Sequence, residues 1–394
     1  MRIGMILDKV FPPDPRVENE AIELIKKGHE VFLFCLTYEG EQQEETINQI
    51  NVKRYQSNKL EYKLSALAYT VPFYSLLMKK KIADFLSKNE IEAIHIHDIR
   101  IAEAVFLANK KRQLPVVLDL HDNMPEVMKF YPHLQKFPGK YIISPKKWQQ
   151  KEEAFIKKAD KVITVSQEFV NEVVERTKIA ENKVVLVPNT IRKSFYNSFE
   201  LNKEIVKKYK NNFVILYLGD THVRRGLLTA IRAVVKLKEQ IPTIKLVIVG
   251  ENTTDYILKA EVEKLNIKEF VDFEGWQNVS LFPSYIQASD ICISPLRRNI
   301  QHDVAYANKL FQYMSLAKPL LVSNAIAQKN LIEKINGGLV HEEQNVADFE
   351  HKILALYNNS TLREELGKNG ENFVKNEFTW DKTSEGLIDL YNNL

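Results

Sequence analysis

Short apolar runs of four to six residues alternate with longer helix-like segments through most of this chain, and the alternation starts afresh near residue 213. Several runs are apolar on both faces, which is typical of parallel strands that are covered by helices on both sides. Two such series in succession predict two Rossmann-like, doubly wound α/β domains that bind ligands beyond the carboxyl ends of their strands. The predicted strands are 2–7, 31–36, 50–55, 93–97, 115–120, 161–165 and 183–187 in the first series, and 213–218, 244–249, 270–273, 290–294 and 319–323 in the second.

A polar stretch, 190–212, has no core periodicity and separates the two series. It predicts domain bounds of 1–195 and 196–377. The final segment, 378–394, has a helical pattern with an apolar face, so we expect it to cross back and pack on the first domain.

The composition is that of an ordinary globular protein, with 45% hydrophobic and 27% charged residues in 394. A net charge of +4 argues against a nucleic-acid-binding role. Cys35 and Cys292 lie in apolar runs of different domains, so no disulfide is expected and a reducing compartment fits. Neither a signal-peptide core nor a run of about 18 apolar residues is present, and a cytoplasmic location is predicted.

The charge is distributed unevenly. The first fifty residues carry five basic and ten acidic side chains, whereas residues 51–150 carry seventeen and nine. The basic segment contains an apolar, aromatic stretch at 59–90. One interpretation is peripheral contact with anionic lipid at the inner face of the cell membrane. The other is a pair of ordinary buried helices beside a solvated, lysine-rich surface.

A first candidate site follows the predicted strand 213–218, where the chain continues as GDTHVRRG (219–226) and a helix then begins. A glycine after a strand, a short loop and a helix N-terminus together form a cradle for phosphate. Arg224 and Arg225 add forked donors that suit a diphosphate, and Gly219 and Asp220 form the base of the loop. The motif is neither GxGxxG nor a P-loop. The alternative is that both arginines are simply exposed.

A second candidate site follows the strand 290–294, where a long polar loop leads to a helix that starts near Asn308. Asn308 is a plausible N-cap. Lys309 then lies in the first turn, where its charge opposes the helix dipole unless an anion sits opposite. Gln312 lies one turn further on the same face and is placed to bind a sugar or ribose hydroxyl. A solvated lysine and a surface glutamine are the alternative.

Six motifs follow one another in a recognisable order. They are DKVFPPDPRVENEAIELIKKGHEVFLF (8–34), LDLHDNMPE (118–126), ADKVITVSQ (159–167), LVPNT (186–190), GDTHVRRG (219–226) and ANKLFQYMSLAKPLLVSN (307–324). They resemble the motifs of the retaining glycosyltransferases of family 4, the group 1 enzymes with the GT-B fold, and the likeness covers nearly the whole chain.

The resemblance implies a GT-B protein whose two domains face a cleft. It would transfer a sugar with retention from a UDP- or GDP-sugar to a glycan or a lipid-linked acceptor, in the assembly of bacterial surface polysaccharide or glycoconjugates. Arg225 and Lys309 would neutralise the leaving diphosphate. Asn308, Leu310 and Gln312 would bind the donor. No cofactor or metal is implied, and the sequence contains no Asp-x-Asp pair.

In the first domain, His121 stands at the position of the family's active-site histidine, and we expect it to face the donor sugar and the acceptor. Asp14 and Arg16, in the loop predicted after the first strand, are expected to line the same cleft, as are His97 and Asn189. A histidine at a strand end is also commonly structural, which is the alternative for His121.

His95, His97 and Asp98 resemble part of a metal cluster, because alternate residues of a strand share a face. No third ligand of the right kind is identifiable from the sequence. The prediction is therefore that no metal binds here.

The family's carboxylate pair falls at Val304 and Gln312, and neither is acidic. A glutamine still accepts hydrogen bonds but carries no charge. A second hypothesis is therefore a non-catalytic, glycosyltransferase-like partner subunit that has lost turnover. A nicotinamide dehydrogenase is disfavoured, because no predicted strand is followed by GxGxxG.

Overall fold

The computed structural model describes residues 1–131, 134, 136–137 and 139–394. It divides into two compact units: unit 1 is Met1–Pro188 with Ser384–Leu394, and unit 2 is Asn189–Thr383. The division at Pro188 comes earlier than the 195 expected from the sequence. The reason is that the helices Lys193–Asn197 and Lys203–Tyr209 pack on unit 2, where Tyr209 joins the apolar core.

Unit 1 contains an eight-stranded sheet in the order β3-β4-β2-β1-β5-β6-β7-β8. Every pairing is parallel except that of β3 with β4. All seven strands predicted for this part of the chain are confirmed, whereas β3 was missed because its exposed sequence EETI has no apolar run. The strands are β1 (Arg2–Ile6), β2 (Glu30–Thr37), β3 (Glu44–Ile47), β4 (Ile50–Gln56), β5 (Ala93–His97), β6 (Val116–Leu120), β7 (Lys161–Thr164) and β8 (Val184–Leu186).

The helices of unit 1 cover the sheet through apolar faces. In the 59–90 stretch the first helix ends at Ser65, and the second begins directly after Pro72. The second helix buries one face, while Phe73, Leu76 and Leu77 stay exposed. The helices are α1 (Pro15–Lys26), α2 (Lys59–Ser65), α3 (Phe73–Lys88), α4 (Ala102–Asn109), α5 (Met124–Met128), α6 (Gly139–Ile142), α7 (Pro145–Lys158) and α8 (Gln167–Thr177), with a 3-10 turn at Glu181–Lys183.

Unit 2 contains a six-stranded, fully parallel sheet in the order β11-β10-β9-β12-β13-β14. The five predicted strands are confirmed. The edge strand β14 was missed because it is short and begins with a glycine. The strands are β9 (Phe213–Leu218), β10 (Ile244–Val249), β11 (Val271–Gly275), β12 (Ile291–Ser294), β13 (Leu320–Ser323) and β14 (Gly338–His341).

The helices of unit 2 follow the strands as crossovers. They are α9 (Lys193–Asn197), α10 (Lys203–Tyr209), α11 (Leu227–Gln240), α12 (Asp255–Lys264), α13 (Phe282–Gln287), α14 (Ile300–Val304), α15 (Asn308–Ser315), α16 (Ile326–Ile335), α17 (Val346–Asn358), α18 (Ser360–Asn372) and α19 (Trp380–Thr383). Three 3-10 turns (Val223–Arg225, Lys268–Phe270 and Val279–Leu281) and one π-helical turn (Phe373–Glu377) complete the unit.

The C-terminal segment is interrupted at Ser384 rather than forming one helix over 378–394. The last helix, α20 (Glu385–Asn392), belongs to unit 1 and contacts α1 and β8. Its buried Leu387, Leu390 and Tyr391 form the apolar face that the sequence indicated. No helix in the described part of the chain is long and apolar enough to cross a membrane.

Strand order determines where ligand-binding loops meet. In unit 2, β9 lies between β10 and β12, so the chain leaves β9 and β12 toward opposite sides of the sheet. This is a topological switch point, where open α/β sheets bind ligands at the carboxyl edge. The loops that follow β9 and β12 are the two that carry the candidate residues of unit 2.

Candidate functional site

The loop after β9 is shaped by two glycines with positive φ, Gly219 (+105°) and Gly226 (+78°). A Cβ on Gly226 would lie 1.7 Å from the carbonyl oxygen of Pro295. Only glycine therefore lets this loop pack directly on the segment that follows β12. Gly226 also precedes α11, whose N-terminus opens toward the loop.

Asp220 forms ion pairs with the two arginines of this loop, Arg224 and Arg225. Its Oδ2 lies 3.1 Å from Arg225 Nε and 3.9 Å from Arg224 Nη2, and its Oδ1 accepts a hydrogen bond from the amide of Asn252 at 2.8 Å. Burial raises the pKa of Asp220, but the nearby Arg225 guanidinium outweighs burial and lowers it. Asp220 is therefore an organising anion, and Arg225 stays 22% exposed at the rim of the site.

Lys309 lies in the first turn of α15 and is only 9% exposed. Its Nζ has no hydrogen-bond partner among the described residues and lies 3.5 Å from the centroid of the Tyr217 ring. Burial and the charge of Arg225 lower the pKa of Lys309 well below its ordinary value. The carboxylate of Asp220 acts in the opposite direction but does not outweigh them. A buried ammonium without a hydrogen-bond partner is costly, and the arrangement indicates a place for an anionic ligand.

The other donor-side predictions have mixed outcomes. Asn308 is the first residue of α15 and is exposed, while Ala307 is the N-cap, so the predicted asparagine cap is wrong. The side chain of Leu310 is fully buried in the apolar core of unit 2, which leaves its backbone for the predicted donor contact. Gln312 is half-buried, one turn beyond Lys309. Val304 ends α14, a short helix inside what was predicted as a long polar loop.

In unit 1, His121 follows β6 and lies between two carboxylates. Its Nε2 is 3.2 Å from Asp98 Oδ2, and its Nδ1 is 3.5 Å from Asp119 Oδ2. Burial lowers the pKa of His121, but the two carboxylates outweigh burial and raise it well above the ordinary value. This environment favours the protonated imidazolium form of the ring, and 15% of the side chain is exposed.

Arg16 differs from its prediction, because it lies inside α1 and not in a loop. The helix begins at Pro15, with Asp14 as N-cap accepting from Val17 N at 3.2 Å. Arg16 is buried and donates from Nε and Nη2 to both oxygens of Asp119 at 2.7 Å. Asp14 and Arg16 therefore serve the helix and the interior of unit 1, and Asn189 is the first residue of unit 2.

The predicted histidine cluster has different members. His95 and His97 meet Glu20 and Asp119, and four of their ligand atoms lie within 4.8 Å of one another. His97 is fully buried with Nδ1 3.2 Å from Asp119 Oδ2, so the expectation that it lines a cleft is wrong. Asp98 instead contacts His121 and Lys9.

These four residues have ligand chemistry, but a cation of the chain already contacts both carboxylates, and burial raises the pKa of Glu20 to about 7. The guanidinium of Arg16 contacts Glu20 Oε1 at 2.9 Å as well as Asp119. The position that a cation would fill between the two carboxylates is thus already served by a fixed cation of the chain. The absence of a metal stays a prediction.

A cavity of about 1210 Å³ lies in unit 1, and one of its lining residues, Asp98, contacts His121. Its charged lining residues are mainly basic, and most of the others are apolar or aromatic. The charged and polar lining residues include Lys9, Lys63, Asp98, Arg100, Asp122 and Lys136, and the apolar ones include Tyr62, Met124, Met128, Tyr131, Phe137, Ile143 and Trp148.

Sequence reasoning overlooked Asp119, Glu20 and Tyr217. Asp119 had a usable signal, since a carboxylate inside the apolar run 115–120 needs a buried partner. Glu20 looked like an ordinary polar residue of an amphipathic helix. Tyr217 looked like a core residue of β9, and only the fold places its ring under Lys309.

Similar solved structures show which fold this chain has. Sucrose-phosphate synthase from Thermosynechococcus elongatus superposes with a TM-score of 0.78 at 17% identity, covering 100% of this chain and 98% of that one. Anabaena Alr3699/HepE, solved in complex with UDP-glucose, superposes with a TM-score of 0.74 at 14% identity and 100% coverage of both chains. The chain has the GT-B fold.

Family profiles then narrow the class. The profile "Glycosyltransferase Family 4" matches residues 16–195, and "Glycosyl transferases group 1" matches residues 198–373. Together they account for most of the chain, which belongs to the group 1, family 4 glycosyltransferases.

Three relatives illustrate the range of the family. An uncharacterised glycosyltransferase of Methanocaldococcus jannaschii, MJ1178, is 24% identical over 96% of this chain and 93% of its own length. The alpha-monoglucosyldiacylglycerol synthase of Streptococcus pneumoniae is 22% identical, with 95% and 84% covered. The capsular polysaccharide biosynthesis glycosyltransferase CapM of Staphylococcus aureus is 22% identical, with 59% and 62% covered. The chain is thus a glycosyltransferase with relatives in polysaccharide and glycolipid synthesis.

Proposed function

We propose that this glycosyltransferase moves a hexose from a UDP- or GDP-sugar, with retention and without a metal, onto a lipid-linked acceptor in surface polysaccharide or glycoconjugate assembly. The observation that carries the proposal is the buried Lys309, beside Arg225 at the switch point of unit 2. Negative charge builds on the diphosphate as the glycosidic bond breaks, and fixed cations stabilise that charge. The structures of a GT-B neighbour with UDP and with UDP-glucose support a nucleotide donor.

The cavity of unit 1 supports a lipid-linked acceptor over a free glycan. Lys63 and Lys136 among its lining residues suit a phosphate that links a lipid to a sugar, whereas Arg100 is bound to Asp8 and Lys9 is paired with Asp98. Met124, Met128 and Trp148 among its apolar lining residues suit a hydrocarbon chain. Exposed Phe137 and Tyr141, 84% and 78% accessible, add an apolar surface that suits peripheral contact with a membrane.

The His121 imidazolium has a role in this proposal that needs no proton abstraction. Its two ring nitrogens face Asp98 and Asp119, so its N–H groups are directed at these carboxylates and not at a substrate. Its contribution would be a fixed positive charge that stabilises negative charge during transfer.

The test is a transfer assay with UDP- and GDP-sugars and lipid-phosphate acceptors, with the anomeric configuration of the product read by NMR. Lys309→Ala and Arg225→Ala should each lower turnover about 10²- to 10³-fold. The exposed Lys334→Ala of α16 is the matched control and should stay at the wild-type rate. Full activity in Lys309→Ala would remove the assignment of the site.

A second candidate is a non-catalytic partner subunit, favoured by Val304 and Gln312 at the positions of the family's acidic pair. Calorimetry with UDP and GDP separates the two. Binding of neither nucleotide, together with tight association with a second glycosyltransferase, would favour the partner role.

A further inference from the structure

His302 is a buried histidine with an unused nitrogen beside the basic site of unit 2. Its side chain is 3% exposed, and its Nε2 has no hydrogen-bond partner among the described residues. A buried polar atom without a partner costs free energy. Other described histidines also have such a nitrogen, but His302 is the one that lies close to the charges of Arg225, Arg224 and Lys309.

The surroundings of Nδ1 settle which nitrogen carries the proton. Nδ1 lies 2.7 Å from the carbonyl oxygen of Arg297 and 2.9 Å from Asn299 Nδ2. A carbonyl oxygen only accepts, so the shorter contact requires a proton on Nδ1. The amide of Asn299 has its own acceptor, since Nδ2 also donates to Arg297 O at 3.2 Å. Nε2 of the neutral ring is therefore an acceptor.

The ring is neutral in the free protein. Burial lowers the pKa of His302 to about 3, and the positive charges of Arg225, Arg224 and Lys309 act in the same direction. The segment that holds the ring is hydrogen-bonded to the loop after β9, because Arg297 N donates to Arg224 O at 3.1 Å. His302 thus belongs to the same site as the basic residues and differs from them in offering a lone pair.

An acceptor nitrogen cannot bind a phosphate oxygen, which also only accepts. Its partner must be an O–H or N–H group. We infer that His302 Nε2 accepts a hydrogen bond from a hydroxyl of the donor sugar and so acts as a specificity-determining residue of the donor site. This inference rests on the proposed function. His302 and Val304 lie in the same short helix, α14. The neutral ring of His302 would therefore bind the sugar from the helix in which valine replaces the family's carboxylate.

The experiment measures dissociation constants of UDP-glucose, GDP-mannose, UDP and GDP for wild type, His302→Leu and His302→Gln. For the donor that wild type binds, His302→Leu should weaken nucleotide-sugar binding about three- to tenfold and change free-nucleotide binding less than about twofold. His302→Gln retains an acceptor at a similar distance and should recover part of the loss. The exposed His351→Leu of α17 is the matched control.

Deoxy analogues of the donor sugar sharpen the result. We expect one of the 2-, 3-, 4- and 6-deoxy donors to bind wild type as weakly as the parent donor binds His302→Leu. That same deoxy donor should bind His302→Leu no more weakly than it binds wild type. Equal weakening of free nucleotide and nucleotide-sugar would overturn the inference, as it would indicate a ribose contact or a packing role. Failure of wild type to bind any of the four ligands would instead overturn the proposed function.

Discussion

Unit 1 and unit 2 both bury charge, but they balance it differently. In unit 1, Arg16 is bonded to both Asp119 and Glu20, and His121 lies between two carboxylates. In unit 2, Lys309 is about as buried as Arg16, but its Nζ lies over the face of Tyr217 and has no hydrogen-bond partner among the described residues. Removing one member of a buried charge network leaves the others unpaired and costs stability, whereas an unpartnered cation gains its partner when a ligand binds. We therefore expect substitutions in unit 1 to change stability most and substitutions at Lys309 to change ligand binding most.

The largest effect should come from breaking the network of unit 1. Asp119→Asn removes the charge that Arg16 and His121 share and should lower the free energy of unfolding by about 3–5 kcal/mol. Urea denaturation measures the change, and the exposed Asp389→Asn of α20 serves as the control. A loss below about 1 kcal/mol would mean that the unit 1 charges are no better paired than surface ones.

A nucleotide should supply the partner that Lys309 lacks. At about one hundred times its dissociation constant, UDP or GDP should stabilise unit 2 by about 2.7 kcal/mol. Hydrogen exchange followed by mass spectrometry, on peptides from β9 and α15, locates the effect. Equal protection of Lys309→Met at the same nucleotide concentration would show that the ammonium is not where the anion binds.

Without ligand, Lys309→Met should stabilise unit 2 by about 1 kcal/mol, because it replaces a buried unpaired charge by an apolar chain of similar length. The pKa of Lys309 is lowered in the folded protein, so its charge costs stability below the folded pKa and costs nothing once pH exceeds the unfolded pKa of about 10.5. The gain should therefore shrink as pH rises. Unfolding curves at pH 7 and pH 10 test the sign, and a destabilised variant at pH 7 would contradict it.

The smallest effect should follow metal removal. Since the guanidinium of Arg16 already contacts the carboxylates of Glu20 and Asp119, dialysis against a chelator should leave stability and transfer activity unchanged. Elemental analysis provides the independent check. About one bound metal per chain, lost in a His95→Ala variant, would show that the histidine cluster is a metal centre after all.

Most of the fold could be predicted from the sequence pattern, because buried parallel strands require apolar runs that are recognisable in the sequence. The runs at 213–218 and 290–294 are both strands at the predicted places. The missed strands, β3 and β14, lie at sheet edges, where pairing and not burial selects the residues. The position of Lys309 in a first turn was also readable, because the helix starts where the polar loop ends.

Two Rossmann-like units, a glycine-arginine loop after β9 and a lysine at the start of α15 follow from the residue pattern alone. Which charges are paired depends on how the chain folds. Arg16 and Asp119 are 103 positions apart in the chain and 2.7 Å apart in space, and His302 has a partner at Nδ1 but none at Nε2 among the described residues. Backbone pattern is local and leaves a periodic trace, whereas charge balance depends on contacts between distant segments.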